Sequence, residues 1–164
     1  MQNISTKRQF IGLAIWLLAT FIAGGIGAVA SLNAASFYGQ LNRPGWAPPS
    51  WLFAPVWTLL YVLMAVAAWL VWRSHGFRAN RAALVLFLVQ LAANALWTWL
   101  FFAWHQGAGA FVEILILWAL IIATIASFRS VSVPAAWLLV PYLAWVTFAA
   151  ALTFSEWRLN PGVL

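Results

Sequence analysis

Arg43 to Tyr61 reads RPGWAPPSWLFAPVWTLLY, a proline- and tryptophan-rich loop that runs straight into an apolar segment. Pro44, Pro48 and Pro49 fix φ and withhold backbone donors, so the loop is stiff for its length. Pro49 falls near a helix start and Pro55 in the first turns, where a missing N–H is tolerated. Trp46 and Trp51 ride on the loop. Trp57 and Tyr61, four apart, share one face of the helix that follows. The stretch predicts a spanning helix entered through a rigid, aromatic lid.

Outward from it, the 164-residue chain is 66% hydrophobic and only 6% charged. A soluble domain carries about 25% charged residues, so there is too little charge here for a water-facing surface. The composition predicts a multi-pass, all-α integral membrane protein whose lipid-facing surface meets the bilayer directly. The formal charge of +6 is spread singly through the linkers, which fits membrane topology and excludes a nucleic-acid patch. Cysteine is absent, so there is no disulfide framework and no thiolate metal site.

Five apolar runs are long enough to cross a bilayer core, which takes about 20 residues. They cover approximately residues 10–32, 50–72, 82–104, 109–128 and 133–157, with a lid loop at 33–49, and the whole of 1–164 reads as one membrane domain. The first run, with Lys7 and Arg8 before it and Ala28-Val29-Ala30 inside it, also has the outline of a cleavable signal, but it is longer than a signal core of about 7–15 residues. Ala19, Ala23 and Gly27 place a small residue at every fourth position, which favours close helix packing. Asn80 is an expected N-cap of the third span. Ser132 and Pro134 mark the start of the fifth, and Pro141 is expected to bend it.

Lys7, Arg8, Arg73, Arg78, Arg81 and Arg129 fall on one side of this topology, and Arg43 and Arg158 on the other. Six against two puts the N-terminus in the cytoplasm and the C-terminus outside; inner and outer membranes are not distinguished.

No paired carboxylates, metal-ligand cluster or nucleophilic triad is visible. Glu113 is the one acid well inside a span. It reads either as a snorkelling or structural hydrogen-bonding group or as a functional one. Gln90, Asn94 and Trp97 lie on one face of the third span. Tyr142, Trp145 and Ala149 follow Pro141 in the fifth. Trp69, Trp72, Trp104, Trp137 and Trp157 lie near span ends, as an interfacial belt would, whereas Trp57, Trp97 and Trp145 lie deeper. These deep rings either pack the helices or wall a flat, apolar pocket carrying one or two amide groups, which suits a planar aromatic or macrocyclic ligand.

Three stretches resemble the TspO/MBR family of tryptophan-rich sensory and translocator proteins: residues 43–61, NALWTWLFF at 94–102, and VPYLAWVTFA at 140–149 followed by WRLN at 157–160. Their order and spacing cover essentially the whole chain. The resemblance implies a bundle of five transmembrane helices, usually a homodimer, and a receptor or carrier that binds porphyrins such as protoporphyrin IX, benzodiazepine-site drugs and sterols or similar lipids. No obligatory cofactor is implied; porphyrin enters as ligand. It also implies, as an alternative, light-dependent breakdown of protoporphyrin through pocket tryptophans matching Trp57 and Trp145, the candidate catalytic residues. The pocket amide matches Asn94, the small residue that leaves room for ligand matches Ala149, and the lid matches Trp46, Pro48 and Pro49. Two positions depart from the pattern. Phe37-Tyr38 stands where many relatives have Trp-Tyr, and Phe154 replaces the tyrosine of the C-terminal sterol motif, which weakens sterol recognition there.

Overall fold

A computed structural model describes residues 5–164; residues 1–4 of the polar N-terminal stretch lie outside it. Five helical segments are long and apolar enough to cross a membrane: Thr6–Ala30, Ser50–Ala79, Arg81–Ala103, Gly107–Arg129 and Val133–Leu159. No strand occurs among the described residues. We label the α-helices α1 (Thr6–Ala30), α2 (Ala34–Gln40), α3 (Phe53–Ala79), α4 (Arg81–Thr98), α5 (Gly107–Arg129), α6 (Val133–Leu138) and α7 (Val140–Leu159).

Packing follows side-chain size. α1 lies against α3 and α4, α4 against α5, and α5 against α7. A Cβ placed on Gly12 would stand 2.2 Å from the Trp72 ring, and one on Gly24 2.7 Å from the Tyr61 ring. Glycine at these positions lets a large ring lie directly on the α1 backbone, the close approach that small residues permit between membrane helices. Gly27 does the same for Thr98, and Ala23 and Gly27 are both buried, so the small-residue stripe packs the bundle.

Several boundaries differ from the sequence reading. The lid loop is not all loop, because residues 34–40 form α2. The second span does not end near residue 72. It continues to Ala79 through a single non-helical residue, Gly76, at φ 79°, in the left-handed region that glycine enters freely. Asn80 stands at the N-cap position of α4 but makes no side-chain cap there. Its amide donates backwards to the Val71 carbonyl at 2.8 Å, to Ser74 Oγ at 3.0 Å and to the Gly76 carbonyl at 3.3 Å. Asn80 therefore clasps the end of α3. The third span ends in a π-helical turn, Trp99–Ala103, closed by the Trp104 amide on the Trp99 carbonyl at 2.9 Å.

The fifth span is divided. Ser132 caps α6, its Oγ accepting from the Ala135 amide at 3.4 Å. The helix then breaks at Leu139, two residues before Pro141. A proline ring clashes with the carbonyl four residues back and leaves it without its helical donor, so the expected bend appears as a break.

The tryptophans near the span ends divide into two groups. Trp104 and Trp137 are exposed, as an interfacial belt requires. Trp69 instead donates to the Gln9 carbonyl at 3.0 Å, Trp72 covers Gly12, and Trp157 covers Gly107. Trp99 and Trp118 also bond across helices, to the Ile26 carbonyl at 3.2 Å and to Thr147 Oγ1 at 2.9 Å. Much of the tryptophan content thus joins helix to helix.

The bond from Trp69 to Gln9 brings the last turns of α3 to the start of α1. At the other end, Asn160 meets the lid loop at Asn42. The bundle accordingly has a basic end, holding Lys7, Arg8, Arg73, Arg78, Arg81 and Arg129, and a loop end with Arg43 and Arg158.

Candidate functional site

The site begins with polar side chains that the helices bury. Gln90 and Asn94, one turn apart on α4, are 1% and 2% exposed. Each is met by a tyrosine from another helix. Tyr61 on α3 donates to Asn94 Oδ1 at 2.8 Å, and Tyr142 on α7 donates to Gln90 Oε1 at 2.9 Å. Gln90 Nε2 lies 4.0 Å from the Met64 sulfur. Burying an amide requires such partners, and these bonds fix the register of three spans around one polar core.

Aromatic rings wrap this core on the loop side. Trp57 lies 5.7 Å from Tyr61 and 6.2 Å from Tyr142, centroid to centroid. Phe53, one turn before Trp57, meets Trp145 at 6.0 Å and Tyr38 at 5.5 Å. Trp145 tilts against Phe148 at 5.5 Å, and Phe148 carries Trp46 of the lid edge-on at 5.7 Å. Ala149 lies buried in the same core cluster.

A cavity of about 350 Å³ opens between α1, α2, the start of α3 and the end of α4. Its walls include Trp57, Tyr61, Phe53, Tyr38 and Phe102, with Gly27 and Ala28 lining the α1 side. From the residues picked out in the sequence, Trp57 and Tyr61 line it. Asn94, Gln90, Tyr142 and Trp145 do not line it: Asn94 is bonded to Tyr61, Tyr142 touches Trp57 and reaches Gln90 through its hydroxyl, and Trp145 touches Phe53. Trp97 takes a different place: its ring stacks on Phe101 at 5.5 Å and 14° and meets Phe102 edge-on at 5.9 Å.

The lid is fastened rather than loose. Tyr38 donates to the Pro48 carbonyl at 3.0 Å, and the Arg43 guanidinium lies 4.7 Å over the Tyr38 ring. Burial, reinforced by Glu156 and opposed by Arg43, raises the Tyr38 hydroxyl above its ordinary pKa, so it stays a neutral donor to Pro48. Asn160 at the end of α7 grips Asn42 from both sides. The Asn42 amide donates to Asn160 Oδ1 at 2.8 Å, and Asn160 Nδ2 donates to the Asn42 carbonyl at 2.9 Å and to the Glu156 carbonyl at 2.7 Å. Pro49 precedes the short 3₁₀ turn Ser50–Leu52, and Trp51 projects outward, 70% exposed.

Both acids are buried. Glu113 is 7% exposed, which replaces the snorkelling reading with a buried carboxyl. Among the described residues, Trp97 Nε1, Glu113 Oε2 and Glu156 Oε1 are buried polar atoms without a hydrogen-bond partner. No group of three metal-ligating side chains occurs among the described residues.

Sequence reasoning did not assign Phe53, Phe102, Phe148 or Asn160. Phe53 precedes Trp57 by four and Phe148 follows Trp145 by three, the spacings that put side chains on a shared helix face. Asn160 closes the WRLN stretch quoted above, but nothing local gave its role, because its partner lies 118 residues away.

Fold and site together define a multi-pass integral membrane protein, with a polar core behind an aromatic-walled cavity at one end of the bundle. The chain belongs to the TspO/MBR family, whose sequence model matches residues 14–158. It is 42% identical over 153 residues to protein CrtK of Rhodobacter capsulatus, covering 91% of this chain and 92% of that protein. It is 39% identical over 158 residues to the tryptophan-rich protein TspO of Chlorobaculum tepidum, covering 94% and 99%. With the translocator protein of Ovis aries it shares 42% identity over 128 residues, 77% of this chain and 76% of that protein. Membership sets it among membrane proteins of receptor and sensor type.

Proposed function

We propose that the protein is a membrane receptor or carrier for porphyrin-like tetrapyrroles such as protoporphyrin IX, and that the same site accepts benzodiazepine-site ligands. The observation that carries this reading is the cavity walled by Trp57, Tyr61 and Phe53, with the Asn94 amide bonded to the hydroxyl of the lining Tyr61. Flat apolar walls favour stacking on a planar ring system, and a nearby amide supplies orientation. About 350 Å³ is at the small end of ligand pockets, which run roughly 300–1,000 Å³. Full seating of a tetrapyrrole therefore displaces the lining ring Phe53 and, through it, Trp145, Phe148 and Trp46, which pack outward from Phe53 in that order. The positive-inside rule orients the basic end to the cytoplasm and the cavity outward, and the protein acts as a homodimer.

A second reading rests on Trp57. It lies beside Tyr61 and Tyr142, so three oxidisable rings adjoin one another next to the cavity. They can give an electron to a light-excited porphyrin, which passes it on to dissolved dioxygen, and the reduced oxygen species so formed is the oxidant that breaks down the bound ligand in this alternative activity.

The test is a protoporphyrin titration of the purified protein by tryptophan fluorescence quenching, in the dark and then under illumination. Saturable quenching is expected, weakened in Trp145→Ala by about 1–3 kcal/mol through lost apolar contact. Wild-type affinity in Trp145→Ala removes that ring from the site. Loss of porphyrin absorbance in the light, stopped by Trp57→Phe while binding persists, selects the breakdown reading.

A further inference from the structure

The cavity has a neighbour across α2. A groove of about 530 Å³ lies between α2, the last turn of α1 and the π-helical end of the third span. Asn33, Ser36, Phe37 and Gln40 line it, a spacing that places all four on one helix face. The opposite face of α2, with Ala34, Ala35 and Tyr38, lines the cavity. Phe102 lines both spaces. α2 and the Phe102 ring are therefore a shared partition.

Two backbone irregularities adjoin this groove. The first is the π-helical turn that carries Phe102, continued by the Gln106 amide on the Leu100 carbonyl at 2.8 Å. The second is His105, at φ 51°, a left-handed conformation that costs a non-glycine residue energy. Its ring stacks on Phe37 at 4.2 Å and 25°. The π-turn is not needed to connect two helices, and such turns recur at functional sites; His105 takes the left-handed position that commonly follows a helix end, where this chain places an imidazole instead of the usual glycine.

The groove floor is aromatic, from Phe37, Trp99 and Phe102, while its rim carries the amides of Asn33 and Gln40, the Ser36 hydroxyl and the His105 imidazole. The chain holds only two acidic residues, and both are buried. No carboxylate side chain on the protein surface opposes an anion approaching this rim. A flat apolar floor beside a donor-bearing rim matches a planar amphiphile with carboxylates along one edge.

We propose that the groove is an antechamber. A planar apolar acid docks there from the bilayer edge, carboxylates toward Asn33, Gln40 and His105, and passes the Phe102 partition into the cavity. This rests on the porphyrin reading given above and adds the route and the recognition of the acidic edge.

Stopped-flow quenching in lipid nanodiscs tests it, with protoporphyrin IX and its dimethyl ester as probes. Ser36→Phe fills the groove from an exposed position, and His105→Asn removes the stacked ring in a residue that tolerates the left-handed backbone. In both variants association and dissociation of the acid slow together, by about ten-fold, with the equilibrium Kd unchanged. The ester associates more slowly than the acid in wild type and is indifferent to His105→Asn. Wild-type rates in Ser36→Phe overturn the antechamber. Equal association of acid and ester overturns the carboxylate recognition. Absence of saturable quenching in the wild type overturns the porphyrin reading, and this inference with it.

Discussion

Removing the Asn160 side chain should loosen the lid while leaving the bundle folded. Asn160→Ala deletes two bonds to Asn42, at 2.8 and 2.9 Å, and one to the Glu156 carbonyl at 2.7 Å. A net intramolecular hydrogen bond contributes about 0.5–1.5 kcal/mol, so the two bonds to the lid bound the effect at roughly 1–3 kcal/mol. Asn42 is exposed, and water replaces its lost partners, so the lower end applies. About 1 kcal/mol corresponds to roughly a five-fold larger open population of the lid. Tyr38 still holds Pro48, so opening begins at residues 41–43 and not at the proline hinge. Hydrogen exchange read by mass spectrometry checks this. Peptides covering residues 41–47 should exchange about five times faster in Asn160→Ala, while those from the centre of α5 stay as in wild type. Unchanged exchange across 41–47 would refute the idea that Asn160 fastens the lid. Acceleration throughout the protein would mean that the residue holds the bundle instead.

Four other single substitutions probe the packing and the core. Gly12→Ala puts a methyl 2.2 Å from the Trp72 ring, so thermal unfolding in detergent should show a loss of about 1–3 kcal/mol. Gly25→Ala, where a Cβ meets nothing within 4 Å, should be neutral or slightly stabilising. Tyr142→Phe leaves Gln90 Oε1 without its donor and should cost about 0.6 kcal/mol, the average for hydrogen bonds between membrane helices, and at most about 1.7; the double variant with Gln90→Leu should recover part of that loss in the same assay. Ala149→Phe puts a large ring into the core cluster against which Trp57 and Trp145 pack and should abolish porphyrin quenching while circular dichroism stays that of the wild type. Normal binding would show that the ligand does not need that volume.

The five spans and the aromatic lid were legible because both follow from local rules. An apolar run of sufficient length has to cross the membrane as a helix, and prolines stiffen whatever loop they occupy. The face shared by Gln90 and Asn94 was legible for the same reason, since helical spacing fixes it. What the sequence did not show are relations between distant residues. The pairing of Tyr61 with Asn94 and of Tyr142 with Gln90 depends on helix register, which no single segment encodes. Helix α2 was hidden because seven residues, Ala34–Gln40, are too few for a periodic signal. Asn80 was read as a cap from its position before an apolar run, and its side chain faces the other way because Gly76 turns the end of α3 toward it. Trp69 and Trp72 sat where a belt would place them, and only the glycine and carbonyl opposite them reveal that they join helices.

The clasp made by Asn80 also bears on how the bundle sits in its membrane. With Val71, Ser74 and Gly76 tied to one amide, Arg73, Arg78 and Arg81 are carried on ordered backbone at a set spacing. Each basic residue near an anionic leaflet contributes about 1 kcal/mol of attraction, and cations already in position lose little freedom on meeting lipid phosphates. The loop end has only Arg43 and Arg158, each lying, like Arg73 at the basic end, over an aromatic ring of its own chain. The basic end thus sets six cations against the two of the loop end in any attraction to anionic headgroups, and the lid lies at the end where that attraction is weaker.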